Sequence, residues 1–267
     1  TLIGRLHQYF LIYFETFSAP TADTLFLLVL SILTLESVHS IRFLYQHFLS
    51  GITTKSLNTF YHACSYAKVD YSHFMNITAK VALRMIPDSL ATQPIFLCVD
   101  DTMVAKVGTR FENVSKLFDH AAHNGSNYLN GHCFVSIMLC IPVWKNDRMK
   151  YIPLFLYSFR WNIETSYYEQ KTFWSFCSYM VRSCKGIEMP VNLINISYCA
   201  MKILPYQNEH FSEYRTKSVQ EFCFELSQGI RSQIFFATFV KNIETHIKSN
   251  AMTKALKQLI HQQVYHL

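Results

Sequence analysis

Residues 95–102 read IFLCVDDT, residues 133–143 read CFVSIMLCIPV and residues 149–157 read MKYIPLFLY. Each run is almost continuously apolar, rich in Ile, Val, Leu or Phe, and too short for a helix, which is the pattern of a buried strand. A short polar turn at residues 145–147 separates the second run from the third, so these two are predicted to pair antiparallel. The first run is predicted to be a buried strand that ends in two carboxylates, Asp100 and Asp101. Side chains at neighbouring strand positions point to opposite faces, so only one of the two can serve a site on a given face.

Upstream of this block the spacing is helical. After Pro20 a capping Thr21 or Thr24 precedes an apolar run, Ile41, Leu44, Tyr45 and Phe48 recur at intervals of three and four, and Gly51 stops that helix. Two more helices are predicted over residues 54–64 and 71–85, giving a small bundle of four closed by Pro87 and Pro94. Such a bundle suits DNA reading or plain packing, and its basic residues are nearly balanced by acids. Downstream, helical spacing returns over residues 159–206, with a buried helix at 191–204, and continues with mixed charge from 213 to 267, where Gly229 is a weak point. The fold class is therefore α+β, divided into a helical N-terminal region at 1–90, a sheet-containing core at 91–206 and a helical C-terminal region at 207–267. The chain begins at Thr1 with a stretch that reads as mid-protein helix, TLIGRLHQYF, as a fragment would.

The 267 residues are 50% hydrophobic and 16% charged, with 7 Gly and 7 Pro, which excludes disordered and collagen-like readings. Eight cysteines lie scattered through apolar runs with no CxxC pair, the pattern of a reduced cytoplasmic chain rather than a disulfide framework. The longest apolar run, residues 25–35, falls well short of the roughly 20 residues of a membrane span. Net charge is +6, and residues 145–185 carry seven Lys or Arg against three acids. A basic surface around isolated acids suits a polyanion, and an ordinary solvated helix face has the same composition.

The chemistry concentrates in YSFRWNIETSYYEQK, residues 157–171, where Tyr157, Arg160, Glu164 and Lys171 follow one another at offsets of 3, 4 and 7. At 3.6 residues per turn these four fall on one helical face. A carboxylate there can hold a metal ion while the two cations grip phosphate oxygens, and a simple Arg160–Glu164 surface pair is the plainer reading. His120, His123 and His132 lack both an HxxxH pair and cysteine partners at zinc-finger spacing, so hydrogen bonding is the better role for them. Trp161 is a base-stacking candidate or a core residue.

The spacing Tyr-x2-Arg-x3-Glu-x6-Lys resembles the signature of DDE transposases of the insertion-sequence-four type. IFLCVDDT resembles that family's first catalytic strand, where an Asp directly precedes Thr. The segments GTRFENVSKLFDHAAHNGSNYLNGHCFVSIMLCIPV and YMVRSCKGIEMPVNLINISYCAMKILPY resemble the parts between and after these motifs, so the resemblance covers residues 94–206. It implies a partial ribonuclease H-like core that breaks and joins DNA by metal-dependent phosphoryl transfer, with two Mg²⁺ or Mn²⁺ ions held by three carboxylates. By position, Asp101 is the implied first ligand, with Asp100 the competing candidate, and Glu164 the last. Tyr157, Arg160, Lys171 and Arg182 are the implied DNA contacts, and the partners are the terminal inverted repeats of the transposon and a second copy of the chain.

One departure stands out. The family pattern needs a second Asp at the end of a further strand, and only 63 positions separate Asp101 from Glu164. Asp119, in a loop, and Asp147, in a turn, are the Asp residues inside that interval, and neither follows a buried strand at the position required. The third strand reads as joined straight to the last catalytic segment. The expectation is a degenerate transposase with an internal deletion that does not cut DNA, or a remnant that binds DNA or dimerises.

Overall fold

The computed structural model describes residues 1–35, 40–105, 115–118, 128–161 and 184–247, with the backbone alone at 115–118, 128–130, 159–161, 184–187 and 246–247. Six helical segments come first: α1 (Leu2–Phe14), α2 (Ala19–Thr34), α3 (Ile41–Leu44), a π turn (Tyr45–Leu49) continuing into α4 (Ser50–Ile52), α5 (Leu57–Tyr66) and α6 (Tyr71–Leu83). Four strands follow, β1 (Phe96–Ala105), β2 (Ser115–Phe118), β3 (Tyr128–Lys145) and β4 (Arg148–Trp161), and then α7 (Cys184–Gln207) and α8 (Val219–Ile247). The α+β class holds.

Local chemistry explains the helix ends. Thr1 caps α1 by accepting from the Gly4 N–H, and the apolar face of that helix repeats as Leu6, Phe10, Tyr13 and Phe14. Ser18 and Pro20 open α2. Asp70 caps α6, its carboxylate accepting from the Ser72 hydroxyl and from the Ser72 and His73 N–H groups, and these bonds, the hydroxyl's foremost, hold it below the usual carboxylate range. The last carbonyl of α2, on Thr34, is taken by α8: Ser227 Oγ donates to it at 2.7 Å and Arg231 Nη2 at 3.1 Å. The amide of Gln233 reaches α1 the same way, its Oε1 accepting from the Ile3 N–H at 3.2 Å. Gly229 has a packing reason, because a Cβ there would stand 2.9 Å from Leu2 Cδ2.

In the sheet β3 is the central strand. It pairs antiparallel with β1 along one edge and with β4 along the other. Gly131 pairs with both Ala105 and Ser115, so the short β2 extends the edge that β4 occupies. Asn146 and Asp147 join β3 to β4 with φ of 52° and 55°, the two-residue left-handed turn that matches the twist of a tight hairpin. Helices α6 and α7 pack on β4, and one buried cluster runs from Leu6 through Phe134 and Leu154 to Ile230, crossing all three of the regions delimited from the sequence. No helix among the described residues is long and apolar enough to cross a membrane.

Three expectations need correction. Strand β1 does not end at the two carboxylates but runs past them to Ala105, and its leading half is open to water, with Leu97 65% and Val99 64% exposed. Among the described residues the helices that cover the sheet pack chiefly on β4, while β1 lies at the side, paired with β3. Residues 159–161, read as the start of a helix, continue β4 instead, because a strand partner was waiting at residues 133–135. The polar stretch before β3 contributes a fourth strand, β2, where a loop was expected.

Candidate functional site

Asp100 and Asp101 sit in the middle of β1, opposite Ser136 and Val135 of β3. The strand alternation sends them to different faces. Asp101 is buried, and Cys133 Sγ donates to its Oδ2 at 3.7 Å, a diagonal contact across the β1–β3 pair. Asp100 Oδ1 accepts from the Asp101 N–H at 2.9 Å, so its carboxylate curls back on the strand. Thr102, next along, is fully buried, and its hydroxyl has no hydrogen-bond partner among the described residues. An orphaned hydroxyl of this kind costs about 1–3 kcal/mol.

The motif that follows is described only in part. Tyr157 and Arg160 lie on β4, opposite Ile137 and Phe134. They do not share a helical face, because both positions belong to strand β4. The half-buried Tyr157 ring packs on Tyr71 of α6 with centroids 5.1 Å apart. Glu164, Lys171 and Arg182 lie outside the described residues, as do Asp119, His120 and His123. His132 is buried in β3, its ring edge-on to Phe134. Asp147 occupies the hairpin turn two residues past the end of β3, whose last residue, Lys145, is ten positions from Val135, the partner of Asp101. At about 3.3 Å per residue Asp147 and Asp101 are roughly 30 Å apart, too far to share a metal ion.

Sequence reasoning missed the polar network beside these residues. The hydroxyls of Ser136 and Ser158, partners across β3 and β4, are hydrogen-bonded to each other and fully buried. Asn195 Nδ2 on α7 donates to Ser158 Oγ at 2.8 Å. Asn192, one turn earlier, takes both backbone groups of Ser158: the Ser158 N–H donates to Asn192 Oδ1 at 3.1 Å, and Asn192 Nδ2 donates to the Ser158 carbonyl at 3.0 Å. The carboxamide thus stands where a neighbouring strand would stand, and satisfies the outward groups of β4 at that point. Two Asn at a spacing of three inside an apolar helical run were the available signal, and they gave no indication of their partner.

Oxygen donors suit a hard divalent cation, yet Asp100 and Asp101 face apart, and among the described residues no three His, Cys, Asp or Glu side chains converge. The described residues therefore supply one buried carboxylate of a candidate site and not a complete ligand set. No family model, no curated protein and no solved structure matches this chain.

Proposed function

We propose that the chain is a degenerate DDE transposase of the insertion-sequence-four type, with a ribonuclease H-like core cut short, which binds transposon-end DNA without cleaving it. The observation that carries this reading is the edge of β1 that has no strand partner among the described residues. Asp101 is buried on the strand that the resemblance names as the first catalytic one, and that strand has a partner on one side only among the described residues. A further strand bearing the second Asp of the family pattern would pair along the other edge of β1, and the described strand that directly precedes an Asp in this interval, β2 before Asp119, pairs with β3 instead.

In this reading Asp101 and Glu164 are two ligands left from a three-carboxylate Mg²⁺ or Mn²⁺ site. Lost geometry of about 1 Å at such a site costs on the order of a hundredfold in rate, and a missing ligand costs more. The test is a nicking assay with Mn²⁺ on duplex DNA carrying the flanking inverted repeats, run beside Glu164→Ala, together with a mobility-shift titration of the same duplex. Expected are a shifted complex and equal background nicking in both proteins. Cleavage that vanishes in Glu164→Ala would show a working third ligand, and absence of any complex would end the transposase reading.

A further inference from the structure

Two thiols meet at the end of the sheet where β1 begins. Cys98 of β1 is paired with Met138 of β3, and Cys140 of β3 is paired with Phe96. The two cysteines therefore stand diagonally across the strand pair, and their Sγ atoms are 3.7 Å apart. Neither is in a disulfide, and both are half-buried, unlike the enclosed Cys64, Cys133 and Cys199. They lie 42 positions apart in the chain, so no motif spacing announces the pair.

The diagonal placement decides between two chemistries. Diagonal residues of an antiparallel pair are about 7–8 Å apart, beyond the roughly 4.4–6.8 Å between Cα atoms that a disulfide spans, so closing that bond would require the strands to shift. A shared metal ion asks for less. Two metal–sulfur bonds of about 2.3 Å at a tetrahedral or trigonal angle hold their sulfurs about 3.8–4.0 Å apart, within a few tenths of an ångström of the observed contact.

A third sulfur is at hand. Met138 is directly across from Cys98, and side chains so placed share a face with Cβ atoms about 4.5–5.5 Å apart. It is half-buried and rests on the edge of the core. Beside it β4 carries an extra residue, Leu156, against the Ile137–Met138 step, a bulge of the kind that re-aims side chains. Burial, and then the neighbouring thiol, push Cys140 up to about 11, so the empty pair is protonated and its sulfurs touch without charge repulsion.

We propose that Cys98, Cys140 and Met138 bind one soft, thiophilic cation of the Cu(I) class. Thiolate and thioether sulfurs are the donors that select such an ion over hard divalent cations, and the half-open wall lets it in. Binding displaces both thiol protons to water: a monovalent cation and two neutral thiols become a singly negative complex and two released protons, with Met138 as the neutral third donor. The inference does not rest on the transposase reading, which concerns oxygen ligands and a hard divalent ion at Asp101.

Anaerobic titration of the full, reduced chain with Cu(I) held by bicinchoninate tests it, because the chelator loses its colour as the protein takes the ion. The proteins are the original chain, Cys98→Ser, Cys140→Ser and Met138→Leu, each checked for an intact thermal unfolding transition. Cys98 is on the side strand, so its variant keeps the test decisive if Cys140→Ser fails to fold. The original chain is expected to take up one equivalent more than either serine variant, with a sulfur-only shell by X-ray absorption at the copper edge. Met138→Leu should keep that equivalent at an affinity lowered about tenfold or more. Equal uptake by the original and the serine variants would reduce the thiols to sheet packing and overturn the proposal. A shell containing nitrogen or oxygen, or an unchanged affinity in Met138→Leu, would overturn the three-sulfur site.

Discussion

Asn192 and Ser158 exchange two hydrogen bonds through which a helix side chain completes the backbone of a strand, Asn192 Oδ1 accepting from the Ser158 N–H and its Nδ2 donating to the Ser158 carbonyl. Both residues are buried, so a substitution leaves two backbone groups without water or partner. Asn192→Leu is expected to lower stability by about 2–6 kcal/mol, from roughly 1–3 kcal/mol per stranded group. Urea denaturation gives the value, and a loss below 1 kcal/mol would mean that water or another residue replaces the amide.

Alkaline pH probes the buried thiols. Burial pushes Cys64 and Cys199 up to about 12, far above an ordinary cysteine. Above the unfolded thiol value of about 8.5 the unfolded chain sheds protons that the folded chain keeps, so stability must fall as pH rises through that point. Each thiol contributes a slope of up to about 1.4 kcal/mol per pH unit. Denaturation midpoints between pH 7 and pH 10 should decline steeply, and the decline should flatten in Cys64→Ala and Cys199→Ala. Parallel curves for the variants and the original chain would remove the thiols as the cause.

At Gly229 two effects oppose each other. Alanine in the middle of a helix is worth about 1 kcal/mol over glycine, and the new Cβ would press on the end of the Leu2 side chain. Leu2 is at the start of α1 and partly exposed, so it can swing aside. Gly229→Ala is expected to stay within about 1 kcal/mol of the original. The Leu2→Ala change should be milder in that background than alone, a coupling readable from a double-mutant cycle.

For the proposed DNA complex, Arg160 and Lys171 are phosphate contacts. Their joint replacement by Ala should weaken binding to all duplexes alike and reduce the salt slope by roughly two units. Unaltered affinity would sink that assignment.

The parts of the fold that could be read from sequence were those set by local rules. The apolar runs at 95–102, 133–143 and 149–157 announce strands by length and composition, and Asn146–Asp147 announces its turn. Edge position is different, since nothing in IFLCVDDT says that among the described residues the strand has a partner on one side alone. The span YSFRW satisfies helical spacing and strand alternation equally well, and the decision fell to a partner strand. At the candidate site the same limit applied to Asp100 and Asp101. Alternation said that one must face each way, and only the diagonal neighbour Cys133 distinguishes the buried carboxylate from the one that folds back on its own backbone.

The clasp of α8 on the first two helices fixes the order in which this chain can mature. Ser227, Arg231 and Gln233 satisfy backbone groups of Thr34 and Ile3 across sequence separations of 193, 197 and 230 residues. During synthesis the N-terminal helices emerge long before these donors and acceptors exist, and loop closure over such distances is slow. Helices α1 and α2 must therefore wait, incompletely satisfied, until α8 has left the ribosome. A chain truncated before residue 227 would lack the bonds that hold the first turn of α1 and the end of α2.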